Sequence, residues 1–299
     1  MFKFKAEQKV YQIGNVTIGG QPGQYPTVLM ASIFYAGDRL VLDEEEGIFD
    51  REGARAWIKR VMAIYQQVGQ PLIIDVIGAS EKAMRNYIEF VSQETDVPFV
   101  IDGTVPKVRL AGVETVARLG LQDRAIFNCV SPDSRDDELA EVRKHSIKTT
   151  IVMLNNTKLP TIQGRIDIAE SLIEKAKSFG FEQLLLDMAV LDIVDPGPAA
   201  RAIFLLKDKY GYPSGCSPTH TVITSWEKAS LFNALEQAAT KTSLATSVQM
   251  LGADFIMYGI KQTEIIPAMA AVDAIIAYAA IQQGVRPASK EHPLYRIFK

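Results

Sequence analysis

A (β/α)8 TIM barrel, an α/β fold, is what this 299-residue sequence predicts, and three observations lead there. Short apolar runs alternate with amphipathic stretches along nearly the whole chain, at intervals of roughly 25 to 45 residues. Eight such units fit one barrel, which needs about 250 residues. The runs are continuously apolar rather than alternating, as parallel strands covered by helices should be. No G-x-G-x-x-G follows the first run. "TIGGQPG" lacks that spacing and precedes the strand, which argues against a doubly wound open sheet. No linker or low-complexity tract divides residues 1–299, so the chain reads as one barrel domain.

The elements follow in order. "VYQIGNVTIGG" (residues 10–20) reads as a hairpin about a Gly14-Asn15 turn, and residues 1–25 are expected to close the barrel bottom. Strands are expected at 26–36, 71–78, 98–102, 125–130, 149–155, 183–187, 215–221 and 255–259, several just after Pro or Gly. "GARAWIKRVMAIYQQVG" sets Ala56, Ile58, Val61, Met62 and Tyr65 along one helix face, with Arg55, Lys59 and Arg60 around the other. "GRIDIAESLIEKAKSFG" repeats this with Ile166, Ala169, Leu172, Ile173 and Ala176, then stops at Gly180 as a C-cap. "IIPAMAAVDAIIAYAAI" (265–281) is interrupted by Asp273 and too short to span a bilayer, so it reads as a buried helix.

Composition narrows the function. A net charge of −3 offers no basic field for nucleic acid. Two cysteines, Cys129 and Cys216, make no disulfide framework and suit a reducing cytoplasm, and the start lacks a signal peptide's apolar core. No membrane segment is expected.

Several apolar runs stop at a carboxylate or an amide: "PLIID" at Asp75, "PFVID" at Asp102, "AIFN" at Asn128, "TTIVMLNN" at Asn155 and Asn156, and "QLLLD" at Asp187. Burying such groups without partners is costly. One instance reads as a helix cap. Five reading the same way point to a ligand site, because a barrel brings the C-terminal ends of its strands to one mouth. Alternation then puts Ile126 inside with Asn128 and Leu185 inside with Asp187, while Phe127, Cys129, Leu184, Leu186 and Met188 face the helices. Zinc would need three or four converging ligands, and Cys129, Cys216 and His220 with Cys129 turned outward do not supply them. No G-x-S-x-G elbow is present, and Cys216 reads as a small packing residue. The run Asp43 to Glu46 reads as a solvated loop near the mouth.

"IGGQPGQYPTVLMASIFYAGD", "GIFD", "PFVIDGT", "DRAIFN", "KYGYPSG" and "LGADFIMYG" resemble the MtrH subunit of tetrahydromethanopterin S-methyltransferase and its bacterial relatives, from about residue 8 to residue 260. The resemblance implies a barrel, usually a homodimer, that moves a methyl group between N5 of a reduced pterin and the cobalt of a corrinoid. It implies catalytic and pterin-site roles for Asp102, Asn128 and Asp187, with Asn155 after the fifth strand and Asp75 beside them. Asp and Asn complement the donors and acceptors of an aminopyrimidinone edge. On the seventh strand, where relatives carry an amide, this chain reads His220-Thr221, and His220 or Ser217 is expected to substitute. The loop "NNTKLPTIQG" looks shorter than in the methanogen protein, which favours tetrahydrofolate and methyltetrahydrofolate over tetrahydromethanopterin. A non-catalytic pterin-binding subunit of a larger complex is the alternative role.

Corrinoid-binding domains commonly carry D-x-H-x-x-G. None of His145, His220 and His292 has an Asp two residues earlier. The cobalamin is therefore expected on a separate corrinoid protein, with no resident metal in this chain.

Overall fold

Eight parallel strands close on themselves in chain order: β3 (Val28–Ile33), β6 (Leu72–Gly78), β7 (Phe99–Gly103), β8 (Ala125–Val130), β9 (Thr149–Met153), β10 (Gln183–Asp187), β11 (Ser214–Cys216) and β12 (Phe255–Gly259). The structure, a computed structural model, describes residues 3–192, 194–219 and 232–298. Around the sheet lie α1 (Arg51–Val68), α2 (Glu81–Glu94), α3 (Pro106–Leu119), α4 (Asp136–Lys144), α5 (Ile162–Ser178), α6 (Pro196–Tyr210), α7 (Ala234–Met250), α8 (Ile265–Ile281) and a short α9 (Pro293–Ile297). The predicted barrel is the observed fold.

Strand alternation sorts the apolar residues into two layers. Val28, Met30, Ile73, Val100, Ile126, Ile151, Leu185, Phe255 and Met257 fill the barrel interior. Leu29, Ile74, Phe127, Leu184, Leu186 and Ile256 face the helices. Ile126 and Leu185 are thus inside, and Phe127, Leu184, Leu186 and Met188 outside, as alternation predicts.

The antiparallel pair β1 (Val10–Ile13) and β2 (Val16–Gly19) turns at Gly14, whose φ of 51° suits glycine. Its Ile13, Val16 and Ile18 join the interior cluster. Gly14 N–H donates to the Asp123 carbonyl just ahead of β8, and Gln183, which opens β10, donates through Nε2 to the Gln12 carbonyl. The hairpin therefore lies at the N-terminal ends of the strands. Two buried polar clusters brace the same end. Asp273 of α8 accepts from Thr27 N (3.0 Å), Thr27 Oγ1 (2.9 Å) and Gln70 Nε2 (2.7 Å). Asp254 accepts from Ser214 N (2.9 Å) and pairs with Lys207.

Three strands are shorter than predicted. The first stops at Ile33 because Asp38 accepts from Phe34 N and Leu40 N, turning the chain, and Phe34 takes φ 66°. The fifth stops at Met153 rather than Asn155. Asn156 Oδ1 accepts from Lys158 N and Leu159 N and opens a turn instead. The seventh is described only over Ser214–Cys216, and its expected end at His220 and Thr221 falls outside the described residues.

The helices hold similar corrections. α1 buries Ala54 rather than the expected Ala56, with Ile58, Val61 and Tyr65 beside it. The segment 265–281 is buried on one face only, and Ile275 (55%) and Tyr278 (66%) stand exposed on the other. The acidic run is the tip of a small hairpin, β4 (Val41–Asp43) and β5 (Ile48–Phe49), anchored by Phe49 against Phe34, Tyr87 and Phe90. Among the described residues no helix is long and apolar enough to cross a membrane.

If the hairpin is part of the core, deleting its buried side chain must open a cavity. Ile18→Ala is expected to lower unfolding free energy by about 2–5 kcal/mol. Val10→Ala, in the same hairpin but 41% exposed, should change it little. Urea unfolding monitored by circular dichroism measures both.

Candidate functional site

The inner face of the barrel turns polar at the C-terminal ends of its strands. Ser32, Asp75, Asp102, Asn128 and Asp187 occupy that level on β3, β6, β7, β8 and β10. The register aligns Ser32 with Asp75 and Asp102 with Asn128. Asp187 sits opposite Met153 on β9. Each polar side chain follows an inward apolar one two residues earlier, namely Met30, Ile73, Val100, Ile126 and Leu185. The mouth is therefore an ordered polar layer on an apolar floor.

Their contacts differ. Ser32 Oγ donates to Asp75 Oδ2 at 2.6 Å, and Asp75 Oδ1 has no partner among the described residues. The Asn128 amide donates to Asp102, leaving its buried Oδ1 unpaired among the described residues. Asp187 Oδ1 accepts from Ala189 N at 3.0 Å. An unpaired buried acceptor is expensive in a free protein, so these oxygens suit donors brought by a ligand.

Burial raises all three carboxyl groups, to different extents. Asp75 lies well above the ordinary carboxylate range through burial first, then through Asp102 and Asp187. Burial lifts Asp102 to about 6, opposed by the Asn128 hydrogen bond and the Arg109 charge. Burial also lifts Asp187 to about 6, opposed by the Ala189 N–H and the Arg165 charge. Burial and the neighbouring acids therefore raise Asp75 without an arginine among the described residues to oppose them, whereas Arg109 and Arg165 oppose the rise at Asp102 and Asp187.

The other predicted residues lie less centrally. Asn155 is half-buried beyond the end of β9. Ser217, just past β11, donates through Oγ to the Met257 carbonyl at 3.4 Å. His220 lies outside the described residues. Cys129 corrects the alternation argument. The register of β8 on β9 shifts between Asn128 and Val130, and Cys129 packs against the interior cluster instead of facing the helices. Burial and the neighbouring Asp102 and Asp187 keep its thiol protonated. Among the described residues no three His, Cys, Asp or Glu side chains are grouped to hold a metal.

Sequence reading missed Ser32, Arg109 and Arg165. Ser32 was within reach, since alternation from Met30 puts it inside. The arginines lie on helices behind the sheet, and no spacing rule connects them to a strand end.

The fold and the candidate site define a closed α/β barrel with a polar layer at its mouth. Solved structures share the architecture. Dihydropteroate synthase of Yersinia pestis matches with a TM-score of 0.64 at 15% identity, covering 89% of this chain and 98% of that one. The Thermus thermophilus enzyme matches with 0.60 at 14%, covering 89% and 100%. At such identities the likeness shows the fold alone. The sequence profile of the tetrahydromethanopterin S-methyltransferase MtrH subunit matches residues 6–288. The MtrH protein of Methanothermobacter marburgensis is 36% identical over 311 residues, covering 99% of this chain and all of the relative. Its Methanosarcina barkeri counterpart is 30% identical over 316 residues, with 99% and 100% coverage. The chain belongs to the MtrH family of tetrahydromethanopterin S-methyltransferase subunits.

The carboxylates carry a pH signature. Folded-state values near 6 for Asp102 and Asp187, against about 4 when unfolded, mean that the folded form binds more protons between those values. Their contribution to stability is fully present below pH ~4 and lost as pH rises through ~6. Asp187→Asn is expected to raise the stability of the ligand-free protein at pH 8 by about 1–3 kcal/mol and to flatten its pH dependence. Urea titrations at pH 4.5 to 8 check this, and no change in slope would contradict it.

Proposed function

We propose that this chain binds a reduced pterin at the barrel mouth and transfers a methyl group between its N5 and a corrinoid. The observation that carries the reading is the Asp102–Asn128–Asp187 layer with the Asn128 oxygen left open. Family membership supports methyl transfer, and the relatives' names carry tetrahydromethanopterin. That pterin is the first to test. The tetrahydrofolate expectation rests on a short loop and an ordinary composition, and the relatives do not support it.

In this reading Asp102 and Asp187 accept N–H groups of the pterin ring, and Asp75, held by Ser32, backs them. An amine nitrogen leaves readily only when protonated or hydrogen-bonded as its bond to carbon breaks. Asn128 Nδ2 is committed to Asp102, so its Oδ1 is the atom free to accept from a protonated N5. That contact favours the protonated form of N5, the form in which the nitrogen can take back the C–N electron pair and leave as a neutral amine. The corrinoid supplies the cobalt that gives or takes the methyl group. It would be carried by a separate protein docking over the mouth, in a transient encounter of modest area. A homodimer, implied by the resemblance, has a suitable uncharged face in Ile275, Tyr278, Tyr295 and Phe298, all exposed.

Calorimetric titration with both pterins, followed by methyl transfer from methylcobalamin or a methylated corrinoid protein, tests the reading. Asp102→Ala or Asp187→Ala should each weaken pterin binding by about 1.5–3 kcal/mol per lost charged hydrogen bond. Binding without any transfer would favour the non-catalytic role. Binding of neither pterin would end the proposal.

Asn128→Ala should lower kcat more than it raises the pterin KM, read by single-turnover transfer. An effect on KM alone would make Asn128 an ordinary binding residue.

A further inference from the structure

Behind the mouth, on the helix side of the sheet, Arg165 of α5 is 4% exposed. Its Nε donates to the Met188 carbonyl at 2.8 Å and its Nη2 to the Ala189 carbonyl at 3.1 Å. Those are the two residues immediately after Asp187. The closest described carboxylate, Asp195, is 3.6 Å away, and its other oxygen already accepts from Leu191 N and Asp192 N. Arg165 Nη1 has no acceptor among the described residues. A buried guanidinium held mainly by backbone carbonyls is costly to keep, because carbonyl dipoles do not neutralise its charge.

What the arginine grips explains its place. Ala189 has φ 43°, in the left-handed region that a side chain disfavours. That conformation lets the Ala189 N–H reach back to Asp187 Oδ1. With the carbonyls of 188 and 189 drawn toward Arg165, the N–H is left facing the carboxylate. The same device recurs on the neighbouring acid. Arg109 of α3 donates through Nη1 to the Gly103 carbonyl, directly after Asp102, at 2.8 Å. Its other nitrogens make a two-point pair with Glu138 at 2.7 and 2.9 Å. Asp75 has no arginine among the described groups acting on it.

We propose that Arg165 is a positioning residue for Asp187: by gripping the two carbonyls that follow, it fixes the turn that aims an N–H at the carboxylate and supplies the charge that keeps it an acceptor for the pterin. The inference deepens the proposed function and rests on it for the ligand, although the effect on Asp187 exists without one. The other groups acting on Asp187 are Asp75 and Asp102 from β6 and β7, with the protonated thiols of Cys129 and Cys216 nearby. Asp195, at the start of α6, faces Arg165. The acids oppose ionisation of Asp187, and among the described residues Arg165 is the cation acting against them.

Carboxyl 13C NMR of the ligand-free protein, with the Asp187 signal assigned by its loss in Asp187→Asn, reads the effect directly. The wild-type midpoint is expected near 6. Arg165→Met should move it measurably upward, because the opposing charge is gone. Pterin affinity measured from pH 5 to 9 should follow, its fall on acidification beginning at the higher midpoint and the loss largely recovered at pH 9. Arg165→Lys keeps the charge but holds only one carbonyl well. It should keep the wild-type midpoint yet bind pterin several-fold more weakly at every pH. A folded Arg165→Met protein with an unmoved midpoint overturns the proposal. If that variant does not fold, an Arg165→Lys protein with wild-type pterin affinity overturns it too. Failure of the wild type to bind either pterin would instead remove the function, and the NMR midpoint would still judge Arg165.

Discussion

Three carboxyl groups brought to one mouth by a closed sheet cannot all give up their protons, and the site depends on how that conflict is divided. Asp75, Asp102 and Asp187 share a low-dielectric space in which each disfavours the charge of the others. The division follows local partners rather than residue type. A serine hydroxyl alone leaves Asp75 well above the usual range, while an amide or a backbone N–H, each with an arginine behind it, brings Asp102 and Asp187 close to 6. Neighbouring strand ends of the same residue type thus differ in how tightly each holds its proton.

That arrangement needs a rigid base, because an offset of about an ångström at the mouth would undo it. Rigidity comes from the opposite end. The interior cluster runs from Ile18 of the hairpin up to Ile126 and Leu185, directly below the polar layer. Asp273 ties α8 to Thr27 at the start of β3, and Asp254 ties the starts of β11 and β12 to α6 through Ser214 and Lys207. At the bottom both carboxylates have donors, Thr27 and Gln70 for Asp273 and Ser214 and Lys207 for Asp254, whereas at the mouth Asp75 Oδ1 and Asn128 Oδ1 have none among the described residues.

Much of this was legible in the sequence, for identifiable reasons. A closed parallel sheet forces continuous apolar strands, so the eight units could be counted. Polar residues ending such runs have few places to go but the mouth, and Asp75, Asp102, Asn128 and Asp187 follow from that. The errors arise where local hydrogen bonding overrides periodicity. Asp38 and Asn156 end their strands early by capturing backbone N–H groups, and one extra residue in β8 turns Cys129 inward. Arg165 illustrates a deeper limit. Its sequence position is an ordinary helical one, and its importance comes from β10, more than twenty residues away in the chain.

The hairpin at the barrel bottom also sets an order of events during synthesis. Its residues are made well before their partners, for Lys9 bonds to Gly211 and Gln12 to Gln183, 202 and 171 positions later. At about 5–20 residues per second, the nascent hairpin waits roughly 10–40 s for those partners. Through that interval Ile13, Val16 and Ile18 have no barrel to enter. The seal on the barrel is therefore made long before it can be fitted, and the nascent chain has to keep three sticky side chains from other company until those partners emerge.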